Sequence, residues 1–161
     1  MSRHETPMTR WYWRRIGGTL IEEFCAVRPS HSCGVRLLDG VIVKGGPFEI
    51  ARQSEVDIAG QDVVVVQAKA SRLGMYLMGQ AFFSAQLLRR FAPRSIESVA
   101  LVARDDEVLR PLLEQYRGMR VVVCPPPAEL RLPGLSGKRP TSASGRRHVR
   151  AKTGRSSRSP R

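Results

Sequence analysis

The chain is 161 residues long, enough for one domain of ordinary size but not for two. Its 42% hydrophobic content provides for a real core, and 27 Lys+Arg against 14 Asp+Glu give a formal charge of +13. That balance says nothing about fold but calls for a polyanionic partner, of which nucleic acid is the commonest. The apolar runs fall far short of the ~20 residues a bilayer-spanning helix needs.

The charge is unevenly placed. Residues 1–124 hold 17 basic and 13 acidic residues, whereas residues 125–161 hold 10 basic residues opposed only by Glu129. Cys25, Cys33 and Cys124 lie far apart without a CxxC pair. That pattern fits a reducing cytoplasm rather than a disulfide framework or a zinc site. Arg3, Glu5 and Arg10 precede anything apolar, which argues against a secretory signal.

In chain order, Trp13, Ile16, Leu20, Phe24 and Val27 recur at three- and four-residue spacing and predict a helix over 9–27. The Gly17-Gly18 pair within it costs propensity, and Pro29 ends it. Residues 35–43 read as a strand interrupted or bulged at Asp39-Gly40. Gly45-Gly46-Pro47 marks a turn, after which 48–58 forms a further strand or an irregular connection. The clearest strand is 62–69, whose four consecutive valines imply burial on both faces and a central position. A long helix over 73–91, a strand over 98–102, a helix N-capped by Asp105 and a last strand over 119–123 follow. The βαβαβ order from 62 to 123 predicts a mostly parallel or mixed sheet flanked by helices. From Pro125-Pro126-Pro127 onward, Ser, Gly, Pro and Arg dominate and no core can form. The expected organisation is a folded domain over 1–124 and a disordered basic tail over 125–161.

Several polar residues fall around the two central strands. Asp39 sits at the Gly-broken strand. Gln67 and Lys69, two apart on the valine strand, share a face by strand alternation. Such a pair at the end of a buried strand is costly unless satisfied or used. On the expected first helix, Glu23 lies roughly 60° from the centre of the apolar stripe and Glu22 nearly opposite, so Glu23 is the one placed to reach the sheet. Gln80 shares its predicted helical face with Tyr76, Phe83 and Leu87 and is either a supporting residue or a satisfied core amide. Glu55 and Asp57 compete with Asp39 for a ligand role. Trp11, Tyr12 and Trp13 stand among Arg10, Arg14 and Arg15 and serve either helix packing or nucleic-acid contact.

A helical Glu, an Asp at a broken strand, and a strand ending in Gln67-Ala68-Lys69 before a helix resemble the PD-(D/E)XK nuclease superfamily. The resemblance spans roughly residues 9–124, and the nearest variants are the type IV restriction enzymes and archaeal Holliday-junction resolvases. It implies a restriction endonuclease-like three-layer α/β/α fold with a central mixed sheet, and Mg²⁺- or Mn²⁺-dependent hydrolysis of DNA. It further implies Asp39 as principal metal ligand, Glu23 as a direct or water-mediated one, and Lys69 as the group that orients or deprotonates the attacking water. Gln67 departs from the acidic form of the motif; its amide oxygen can still coordinate, but the site loses one negative charge. Cutting both strands generally needs two sites, which makes a homodimer an expectation. Arg146, Arg147, Arg150 and Lys152 in the tail are the expected phosphate contacts. The alternative is a nuclease fold that binds DNA or a protein without cutting.

Overall fold

Two consecutive glycines decide how the chain begins. In the computed structural model, which describes residues 5–125, helix α1 (Glu5–Ile16) stops at Gly17 and Gly18, with φ of +75° and +86°. The Gly17 amide closes on the Trp13 carbonyl at 2.8 Å. A Cβ at Gly18 would meet the Val43 carbonyl oxygen at 2.2 Å. Glycine takes both positions without the steric cost any other residue would meet. The chain then runs on as strand β1 (Thr19–Val27). The single helix expected over 9–27 is therefore a helix and a strand, because the glycine pair ends the one and frees the other.

The remaining elements are β2 (Arg36–Val43), β3 (Glu49–Ala51), β4 (Asp62–Arg72), α2 (Met75–Leu88), β5 (Ser95–Arg104), α3 (Leu109–Glu114) and β6 (Met119–Val123). They build one six-stranded mixed sheet in the order β3-β1-β2-β4-β5-β6. β2 runs antiparallel to β1 and β4, while β4, β5 and β6 are parallel to one another. The expected βαβαβ half and the central valine strand are both present.

Alternation along β4 divides the core. Val64, Val66 and Ala68 pack with Met8, Tyr12 and Trp13 of α1 on one face. Val63 and Val65 pack with Leu88 of α2 on the other, where α3 joins α2 through Leu113, Leu77 and Ala81. Both faces of the sheet are thus covered, giving the three-layer α/β/α arrangement. Gly40 lets α1 approach closely: a Cβ there would lie 2.9 Å from Thr9 Cγ2.

Two helices differ from expectation in detail. Asp106, not Asp105, caps α3, its Oδ1 accepting from the amides of Val108 and Leu109 at 3.1 and 3.0 Å. Asp105 instead pairs with Arg110 at 2.8 Å. Helix α2 buries Leu77, Ala81, Ser84, Ala85 and Leu88. The face expected to point at the sheet is turned outward, with Tyr76 and Phe83 exposed.

Candidate active site

The site begins where β2 loses regular alternation. Leu38 and Val41, three apart, share one core cluster, although a regular strand would put them on opposite faces. On β1 the equally spaced Ile21 and Phe24 do the same, and between them Glu23 adopts φ +50°. The pairs Glu22↔Gly40 and Phe24↔Leu38 set Glu23 across from Asp39. Asp39 is half-buried at this irregularity, and its Oδ2 accepts the Ala68 amide of β4 at 2.8 Å. The regular β2–β4 pairs reach only Gly40↔Val66, so a carboxylate holds the next part of β4. The Asp39-Gly40 break read from the sequence is real, and it locks the aspartate against the end of the valine strand.

Lys69 lies one residue beyond that contact. Its Nζ stands 3.5 Å from Oε1 of Glu5, in the first turn of α1, and Glu5 is largely covered. Burial raises the Asp39 pKa above the ordinary carboxylate value. The Ala68 amide counteracts that, the nearby Glu5 charge adds to it, and Lys69 opposes it. Two carboxylates and one ammonium therefore share a partly desolvated corner that carries an excess of negative charge.

The other predicted residues fall as follows. Gln67 is 4% exposed and donates from Nε2 to Ser84 Oγ at 2.8 Å, tying it to α2. Glu22 and Glu23 are on a strand, not on the expected helix, so the helical-phase argument for Glu23 does not apply. Glu22 forms a two-pronged ion pair with Arg10 at 2.7 and 2.8 Å. Glu55 and Asp57 accept backbone amides within their own turn, from Arg52 and Ala59 at 2.8 and 2.9 Å. Trp13 is a packing residue: its Nε1 donates to the Gly18 carbonyl at 2.6 Å and its ring stacks on Phe48. Gln80 lines a groove over α2 instead of facing the sheet core. Arg146, Arg147, Arg150 and Lys152 lie outside the described residues.

The sequence reading missed Glu5, the acidic residue that α1 does supply. The signal was Pro7, which is tolerated in the first turn of a helix and marks a start earlier than Thr9. Among the described residues no group of three or more His, Cys, Asp or Glu side chains is close enough to hold a metal ion. Asp39 and Glu5 offer two carboxylates, the number with which Mg²⁺ is often bound when water and substrate phosphate complete its shell.

No family model and no curated protein matches the chain. Among solved structures, a repair endonuclease from Pyrococcus abyssi superposes with a TM-score of 0.51 at 15% identity, covering 79% of this chain and 48% of that one. The likeness is one of fold. EndoMS in its apo form gives a TM-score of 0.45 at 15% identity, with the same coverages. The chain thus spans about half the length of either protein. No described helix is long and apolar enough to cross a membrane.

Proposed function

We propose that the chain is a Mg²⁺- or Mn²⁺-dependent endodeoxyribonuclease of the PD-(D/E)XK kind, acting in restriction, repair or mobile-element biology. The observation that carries this reading is the corner in which Asp39, fixed by the Ala68 amide, sits beside Lys69 and Glu5 at the end of the central strand. The repair-endonuclease fold supports it.

Asp39 and Glu5 would hold the cation, with the amide oxygen of Gln67 and the carboxylate of Glu23 as further candidate donors. A bound divalent ion would polarise the scissile phosphate and lower the pKa of water. Lys69 orients the attacking water and offsets charge developing on the phosphate. The Ala68 amide holds Asp39 in one orientation, so that the ligand is positioned before substrate arrives. In the tail, Arg146, Arg147, Arg150 and Lys152 bind DNA phosphates without sequence preference. The three unpaired cysteines suit a cytoplasmic setting, and cutting both strands suits a homodimer.

One observation favours a second reading, a fold that binds DNA or a partner without cutting. Gln67 replaces an acidic residue and its amide is already committed to Ser84. Supercoiled plasmid and branched DNA incubated with Mg²⁺, Mn²⁺ or EDTA separate the two. Cutting that requires the metal supports the nuclease. DNA binding in EDTA, with no cutting of DNA or RNA under any divalent ion, supports the binding protein.

A further inference from the structure

The outward face of α2 carries more exposed apolar surface than its packing explains. Met75, Tyr76 and Phe83 are 75%, 76% and 64% exposed. With Arg36, Leu37 and Gln67 they line a groove of about 450 Å³, within the ~300–1,000 Å³ range of small-ligand clefts. Gly79, which also lines it, sits inside the helix, where glycine lowers stability. No part of the fold requires that glycine, since a Cβ there would meet nothing within 4 Å. Its effect is to leave a notch between Tyr76 and Phe83, one turn to either side.

The groove is continuous with the candidate active site. Leu38 precedes Asp39 and Gln67 precedes the Ala68–Lys69 pair, and both line its floor. Arg36 is its only charged lining residue, so no carboxylate there repels a phosphate. Aromatic faces, side-chain amides and one cation suit a nucleotide better than an apolar helix.

We propose that this groove receives an unpaired base of the DNA strand being cut, stacked on Tyr76 and Phe83, with Arg36 toward its phosphate. The inference rests on the nuclease reading for the identity of the strand and assigns a preference for DNA with an unstacked nucleotide near the scissile bond.

The test is binding of the full chain, in EDTA, to a duplex carrying a single-base bulge and to the same duplex fully paired. Wild type should prefer the bulge by about 10-fold, the order expected when one base stacks on an aromatic side chain. Tyr76→Ala and Gly79→Leu should abolish the preference and leave paired-duplex affinity unchanged, whereas Tyr76→Phe should keep it. Gly79→Leu fills the notch without a clash and should melt no lower than wild type, so its effect cannot come from unfolding. Equal affinity of wild type for both duplexes overturns the proposal. So does a bulge preference that survives Gly79→Leu while that variant turns a dimer into a monomer, which would make the groove a contact between two copies. Because binding is read in EDTA, a failure of cleavage alone counts against the nuclease reading and not against the groove.

Discussion

Asp39 and Asp62 contact the same strand six residues apart, roughly 20 Å along β4, and their circumstances are opposite. Asp62 opens β4 and is bound by Arg94, whose Nε lies 2.9 Å from Oδ1, and by the Ser95 hydroxyl at 2.6 Å. The Arg94 hydrogen bonds, then that of Ser95, hold its pKa well below the usual carboxylate range. It clamps β4 to β5 at the Asp62↔Ser95 pair. Asp39 is half-buried, accepts the Ala68 amide, and has a pKa raised by burial. A carboxylate whose charge is already met by arginine is structural. One held in place with its charge largely unmet is available to a cation. The contrast between the two ends of β4 is the physical basis for placing the chemistry at Asp39.

The largest effect should come from the corner itself. Asp39→Ala or Lys69→Ala should lower single-turnover cleavage by about 10²–10⁴-fold, the range for loss of a positioned proton-transfer group. If the residues act as a unit, the double variant should lose little more than either single one. Asp62→Ala should cut at the wild-type rate once folded. Equal losses at both ends of β4 would break the comparison.

Next in size is the second carboxylate. Glu5→Gln should weaken metal dependence by about 10- to 100-fold, as loss of a metal-site support does. Glu23→Gly, which suits the positive φ at that position, should change it less. The reverse order, read from a metal titration of cleavage, would return the role to Glu23 as the sequence suggested.

Removing residues 128–161 should leave melting unchanged while lowering DNA affinity. The log–log salt slope should become shallower by about 0.9 for each phosphate that the tail no longer neutralises. An unchanged slope would show that the tail does not bind DNA.

The smallest effect is on stability at the structural end. The folded pKa of Asp62 is depressed, so its contribution is present above the unfolded carboxylate value near 3.9 and is lost as pH falls toward the folded value. Asp62→Asn should therefore be less stable than wild type in urea at neutral pH, with the two converging in strong acid. A gap that does not narrow on acidification would mean that the ion pair is not its source.

Much of this arrangement was legible in the sequence, for identifiable reasons. Val63 to Val66 could only be a central strand, and the Asp39-Gly40 break appears as a loss of alternation. The βαβαβ half followed from turn signals that hold, such as Gly118 at φ +82°. What failed was periodicity across Gly17-Gly18. A helix of twelve residues followed by an irregular strand produced the spacing of one longer helix, and Glu22 and Glu23 were placed accordingly. The same weakness turned α2, whose residues are apolar on nearly every side and give phase little to choose between. Lys69 was found by motif, but its contact with Glu5 requires the tertiary approach of α1 to the strand end, which no local pattern encodes.

The most direct test of the central claim follows thermal unfolding and DNA cleavage together in wild type and Asp39→Asn, with EDTA and with rising Mg²⁺ or Mn²⁺. Because the folded pKa of Asp39 is raised, the protein loses stability as pH climbs through that value, and the penalty is full at neutral pH. Asp39→Asn should therefore melt higher than wild type in EDTA, gain little from metal, and cut nothing. Wild type should gain stability with metal, as a ligand bound only to the folded state provides, and should cut over the same concentration range. Equal metal stabilisation of both proteins, or cleavage that survives Asp39→Asn, would contradict the account.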